Sequence, residues 1–194
     1  IYKITMNNAT KNNGGTMKPT TLGFPIDGNG NILLGRKRRG FGADKYNGFG
    51  GKVQDGEIFR DCMVRELFEE VSLVADPNHL DAVALFDFVF PAAPELTHIG
   101  YVYMISQYEG LPLMSEEMEP QWFAIQHIPY ESMWKGDRVW LPELFKGYRL
   151  KGVITFADDN EAVDHMWLQP VETIAELEDE VLCKEWIYEG YSHE

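Results

Sequence analysis

Three glutamates, Glu66, Glu69 and Glu70, fall within five residues of one another, shortly after a glycine-rich loop that closes with Gly48-Phe-Gly-Gly51. From Ile58 to Val71 the chain has neither Gly nor Pro, and Val64, Leu67, Phe68 and Val71 recur at i, i+3, i+4 and i+7. That period predicts a helix burying those four side chains. Glu66 and Glu70 then lie one turn apart on another face, with Glu69 beside them. Two carboxylates ~5.5 Å apart repel by about 3 kcal/mol at an effective dielectric of 20, and a divalent cation turns that repulsion into a site. Hard oxygens of this kind suit magnesium, and the Gly51 carbonyl is a further donor nearby. The plainer alternative is a solvated acidic face on a surface helix.

The spacing weighs against that alternative. The run reads Gly51-x5-Glu57-x7-Arg65-Glu66-Leu67-x-Glu69-Glu70-x-x-Leu73. At average usage its six polar or glycine positions would coincide by accident on the order of once in 10^5 chains. It resembles the Nudix box, the signature of enzymes that hydrolyse a nucleoside diphosphate linked to another group. One position departs, Ser72 standing where the family usually has Gly. A left-handed residue ends the helix there, and a side chain at it costs roughly 1–2 kcal/mol or forces a different exit.

The resemblance implies an α/β/α sandwich with a mixed β-sheet, a magnesium ion with manganese as the substitute, and a set of roles. Glu66 and Glu70 are implied as principal metal ligands, with Glu69, the Gly51 carbonyl and Glu117 of a second acidic loop completing the site. Arg65 is implied to clamp Glu57, and Glu66 or Glu69 to serve as the base for the attacking water. Further segments are similar to the MutT-like branch acting on oxidised purine nucleoside triphosphates such as 8-oxo-dGTP: Leu33-Leu-Gly-Arg-Lys37-Arg-Arg-Gly-Phe41, Asn47-Gly-Phe-Gly-Gly51, Pro94-Glu-Leu96 and Met133-Trp134-Lys-Gly-Asp137. That similarity implies a base pocket lined by Phe41, Asn47, Phe88, Phe90, Trp134 and Asp137, with Lys37 near the sugar or phosphates. Aromatic faces stack on bases, and an amide beside a carboxylate suits purine edges. Gly136 departs from the pattern, which has a second aspartate beside the one kept at Asp137. Hydrolases of dinucleoside polyphosphates or ADP-sugars, and a non-catalytic nucleotide sensor, are the rival readings.

The elements that must position these residues are legible in outline. Thr20 to Ile26 and Asn31 to Arg36 flank Asp27-Gly-Asn-Gly30 and read as a hairpin. Leu80 to Phe90 and Leu96 to Gln107 read as paired strands, the second too continuously apolar for an edge. Gln121 to Ile125 is a short strand, and Pro142-Glu-Leu-Phe145 opens a helical turn. Tyr148 to Phe156 and Ala162 to Leu168 form a further hairpin. Pro170 to Tyr188 reads as a helix presenting Ile174, Leu177, Val181 and Leu182 on one face. Residues 1–16, rich in Asn, Thr and Gly, are expected to be a flexible arm, and 17–194 a single domain ending in that helical extension.

Composition narrows the partners. Seventeen basic against thirty-one acidic residues give a net charge of -14, which argues against a broad surface for nucleic acid polymers. The basic run Arg36-Lys37-Arg38-Arg39 serves equally as a localisation patch, a solvated strand end or a phosphate-facing cluster. No apolar run reaches membrane-spanning length and no signal-peptide core opens the chain, so the expected location is the cytoplasm. Cys62 and Cys183 show no metal or redox spacing and are expected to be free thiols. Nothing in the sequence chooses between monomer and dimer.

Overall fold

The computed structural model describes residues 18–191, so the expected arm of residues 1–16 lies outside the described residues. Strands β1 (Lys18–Pro25), β4 (Asp81–Val89), β5 (His98–Ile105), β7 (Arg149–Phe156) and β8 (Val163–Val171) build a five-stranded sheet in the order β1-β5-β4-β7-β8. The β1–β5 and β4–β7 pairs are parallel and the other two antiparallel, so the sheet is mixed. A smaller antiparallel sheet is formed by β3 (Tyr46–Asn47), β2 (Asn31–Lys37) and β6 (Met118–Ala124), in that order.

Helices cover both faces of the large sheet, as the α/β/α expectation requires. On one face α1 (Phe59–Val71) and α3 (Glu180–Glu189) bury Phe59, Met63, Leu67, Cys183 and Ile187 against Leu85, Tyr101 and Val153. On the other, α2 (Asp137–Phe145) buries Trp140 and Leu141 against Phe24, Phe86 and Ile154. The strand period of two sends alternate residues into these two cores. A bulge between Ala82 and Ala84 shifts that alternation on β4.

Four local expectations are corrected. The hairpin of the first two strands does not form. β1 pairs with β5, and only the Ile26–Ile32 bridge joins it to β2, although Asp27 closes the turn by accepting from the Asn29 and Asn31 amides. The free edge of β1 is taken instead by the glycine loop, through reciprocal Gly23–Phe49 hydrogen bonds of 2.6 and 2.8 Å and a Thr21 N–H to Gly51 bond of 2.9 Å. That long-range pairing outcompetes the local one.

The buried face of α1 is rotated from the expected one. Phe68 is 56% exposed, while Phe59, Cys62, Met63, Leu67 and Val71 are buried together with Glu70. On that buried face Met63 seats its sulfur against Gly23 of β1, where a Cβ would collide with it. Pro142 does not open α2 but stands inside a helix beginning at Asp137. A proline there removes a single intrahelical donor. The last helix begins only at Glu180, because β8 runs on through Val171. Ile174 and Leu177 pack from the connecting segment, and Leu182 is 52% exposed. Cys183 and Ile187 make the buried face, and the Val181 side chain lies outside the described residues.

Candidate active site

The rotation of α1 turns Glu66 and Glu70 inward, under the glycine loop. Gly50 holds φ 148° and Gly51 packs so closely that a Cβ on it would run into the Glu66 carboxylate. Glu70, 5% exposed, accepts a 2.9 Å hydrogen bond from the Gly50 amide. Burial pushes its pKa up to about 8, with the neighbouring Glu66 and Glu117 adding to the rise and the Gly50 amide and Lys37 opposing it. Burial also raises Glu66, against the pull of Arg65.

Arg65 organises the outer half of the site. It donates to both oxygens of Glu57 at 2.8 and 2.9 Å, a bidentate pair that holds the Glu57 pKa below its usual value. It also reaches Glu66 at 2.7 Å, Glu69 at 3.1 Å and the Lys52 carbonyl at 3.2 Å. Loop and helix are thereby tied together by one guanidinium. Glu69 itself faces solvent, its side chain 56% exposed. Ser72 ends α1 at φ 60°, its amide bonding to the Phe68 carbonyl, so the left-handed exit is retained without glycine at a cost of about 1 kcal/mol.

Glu117 arrives from the turn before β6, where its carbonyl accepts from the Arg38 amide at 2.8 Å. Its carboxylate is held by Arg39 at 2.8 Å. Glu116, more exposed, meets the same arginine only at 3.5 Å. Lys37, at the end of β2, is half-buried and acts on Glu70 electrostatically. Among the described residues no three His, Cys, Asp or Glu side chains are already gathered as a metal cage. Arginine occupies Glu66, Glu69 and Glu117 in this arrangement, while the Gly51 carbonyl accepts from the Thr21 amide at 2.9 Å and weakly from the Cys62 thiol at 3.7 Å. The donor chemistry nonetheless fits a hard divalent cation. Glu66, Glu70 and Glu117 supply carboxylate oxygens, the first and last close enough to act on Glu70, beside a glycine carbonyl.

The expected pocket rings do gather. Phe41 lies 4.9 Å from Trp134 and 5.7 Å from Phe90, and Phe90 stacks on Phe156 at 4.3 Å. Phe88 lies beyond Phe90 on the same strand face, next to His98. Asp137, at the start of α2, is 5% exposed, and burial pushes its pKa up to about 7. The Trp134 amide and the Trp140 indole N–H oppose that rise, although among the described residues no hydrogen bond of good geometry reaches the Asp137 Oδ2. Gly136 packs against Met166 and Ile154, so this corner is apolar. Asn47 is half-buried on β3 opposite Gly35, and no hydrogen bond joins its amide to a described residue or brings it to Asp137. Sequence reasoning missed Arg39, Phe156 and His98. The arginine was legible only as part of a basic run, and the two rings only through strand pairing.

Carboxylates gathered under a glycine loop can hold a cation against phosphate oxygens, and clustered rings with a buried carboxyl next to one of them can take a base, so the arrangement suits a nucleotide. The NUDIX domain model matches residues 16–144, and the chain belongs to the Nudix family of hydrolases. The chain is 42% identical to the oxidized purine nucleoside triphosphate hydrolase of Danio rerio over 136 residues, 70% of this chain and 85% of that one. The Mus musculus protein of the same description is 40% identical over 134 residues, 69% and 84% of the two chains. Among solved structures, the mutator MutT protein from Bacillus halodurans superposes with a TM-score of 0.67 at 21% identity, covering 79% of this chain and 98% of that one, a likeness of fold. Nudix hydrolases act on nucleotide substrates and generally use divalent metal ions.

Proposed function

We propose that this protein hydrolyses oxidised purine nucleoside triphosphates, 8-oxo-dGTP among them, to nucleoside monophosphate and pyrophosphate, and so clears them from the nucleotide pool. The observation that carries the reading is the junction of two sites on one sheet end. The acidic box helix abuts the glycine loop through Glu70 and Gly50, and next to Trp134 of the clustered rings stands the buried carboxyl of Asp137, whose pKa burial raises to about 7. The Danio rerio and Mus musculus relatives, both oxidized purine nucleoside triphosphate hydrolases, support it.

In this reading Glu66, Glu70, Glu117 and the Gly51 carbonyl hold magnesium, or manganese in its place, with Glu69 at the periphery. The ion supplies charge neutralisation on the phosphate oxygens and acidifies water. Lys37 meets the phosphates as a cation on the same side as Glu70. Glu66 or Glu69 accepts the proton of the attacking water, a task for a weak base. Arg65 and Glu57 keep loop and helix in register, and Arg39 steers Glu117. Phe41, Phe88, Phe90 and Trp134 grip the base by stacking, and Asp137, half or more protonated near neutrality, donates to a purine acceptor while Asn47 offers an amide from β3.

Residues 17–194 are read as one domain with α3 as its extension. No described helix is long and apolar enough to cross a membrane. Cys62 is a buried thiol, which suits a reducing compartment such as the cytoplasm. A turnover panel tests the function: 8-oxo-dGTP, dGTP, a pyrimidine triphosphate, a dinucleoside polyphosphate and an ADP-sugar, each with magnesium. The oxidised purine is expected to give the highest kcat/KM. Preference for a capped polyphosphate over every simple triphosphate would overturn the assignment.

A further inference from the structure

One ring in the aromatic wall can accept a hydrogen bond, and none of the roles above uses it. His98 opens β5 directly opposite Phe88 of β4, so both side chains leave the same face of the sheet. The imidazole stacks on Phe88 at 5.0 Å and on Phe90 at 6.2 Å, with interplanar angles of 30° and 18°. Phe90 in turn meets Phe41 and Phe156, which makes His98 part of the pocket wall. Its Nδ1 lies 2.6 Å from the Leu96 carbonyl oxygen, an atom that only accepts, so Nδ1 carries a proton. Burial moves the pKa of this ring down from its ordinary value, which keeps it neutral at physiological pH. Nε2 is then a bare lone pair whose direction is fixed by the stack and by Leu96. It makes no hydrogen bond to another described residue.

The chemistry of an oxidised purine supplies the complement. An ordinary purine presents N7 as an acceptor on its major-groove edge. Oxidation at C8 places a carbonyl there and a proton on N7, so that atom becomes a donor. We propose that His98 is a specificity-determining residue which accepts a hydrogen bond at Nε2 from N7–H of an 8-oxopurine stacked between the pocket rings, and which sets its lone pair against that of N7 in the unoxidised base. The proposal rests on the reading of this protein as an oxidised-purine nucleotide hydrolase. It differs from a role for Asp137, because N7–H distinguishes the damaged base from its parent, whereas the other guanine edges are common to both.

The test is kcat/KM for 8-oxo-dGTP and for dGTP in the wild type, His98→Asn and His98→Gln. Asparagine keeps an N–H near the place of Nδ1 for Leu96 and removes the Nε2 acceptor, while glutamine sets an amide oxygen near the place of Nε2. The preference for the oxidised nucleotide is expected to fall about tenfold or more in His98→Asn, as a lost hydrogen bond to a buried partner dictates, and to be largely retained in His98→Gln. In wild-type protein with 15N-labelled histidine, the Nε2 resonance is expected to move upfield when a non-hydrolysable 8-oxo-dGTP analogue binds and to stay in place with the dGTP analogue. An unchanged preference in a well-folded His98→Asn, with an unmoved Nε2 resonance, overturns the proposal and leaves the hydrolase reading standing. A wild type with no preference for any purine triphosphate overturns that reading, and the proposal falls with it.

Discussion

The Glu70 carboxylate accepts a hydrogen bond from the Gly50 amide at 2.9 Å, joining the last turn of the acidic helix to the loop that follows β3. Glu70 is the most buried of the three box glutamates and stands where loop, helix and the Glu117 turn converge. Loss of either partner therefore changes position as well as charge.

Arg65 should be irreplaceable by lysine. A single ammonium cannot reproduce the fork that meets both Glu57 oxygens and Glu66 together. Arg65→Lys is expected to lose about 2 kcal/mol of stability, the cost of breaking a largely buried charge pair discounted for its partial exposure. Denaturant unfolding of Arg65→Lys, Glu57→Gln and the double variant measures it. Additive losses would show that the two residues are not coupled.

Asp87 gives a pH dependence of stability. It is fully buried in β4, accepts a hydrogen bond from Tyr188 of α3, and burial pushes its pKa up to about 6 against an ordinary value of 3.8. The folded state thus holds the proton more tightly than the unfolded chain, and stability is lost as pH rises from about 4 to about 6. Asp87→Asn, which cannot ionise, is expected to gain on the wild type across that window, by up to about 3 kcal/mol for a two-unit shift. Thermal unfolding from pH 4 to 7 reads the difference, and a difference independent of pH would contradict the assignment.

Much of this was legible beforehand, and the failures share a cause. The box spacing located Glu57, Arg65, Glu66 and Glu70, and the apolar runs located β4 and β5, because both signals are local. The phase of α1 differs from the expected one because Val64 and Phe68 are apolar like the residues that pack, and tertiary contacts such as Met63 on Gly23 are not visible in the period. The β1–β5 pairing depends on a partner some eighty residues away in sequence, and the His98 stack on the register of β4 against β5, neither of which periodicity reports. Burial of the Asp137 carboxyl is likewise a property of the assembled corner around Gly136.

For Asp137 the expected result is selective. With its pKa pushed up to about 7, the carboxyl is a donor below neutrality and loses that proton above it. kcat/KM for the preferred purine should decline above pH 7, and the decline should vanish in Asp137→Asn, whose amide donates at every pH. Asp137→Ala should cost roughly 1–3 kcal/mol in kcat/KM for the purine and much less for a pyrimidine triphosphate. Equal proportional losses on both substrates would make Asp137 a structural residue.

Lys37→Ala should weaken triphosphate binding more at low salt than at high salt, since its ammonium acts through the field beside Glu70. Titration of a non-hydrolysable triphosphate at two ionic strengths measures this. A loss of the same size at both would assign the effect to packing by the lysine stem.

The central claim is that the inward face of α1 performs magnesium-dependent hydrolysis of an oxidised purine triphosphate, and pyrophosphate release from 8-oxo-dGTP by wild type and Glu70→Gln tests it most directly. The account predicts release by the wild type that stops on chelation of the metal, and a fall of at least about a hundredfold in Glu70→Gln with its fold intact. Undiminished release by a well-folded Glu70→Gln would contradict it.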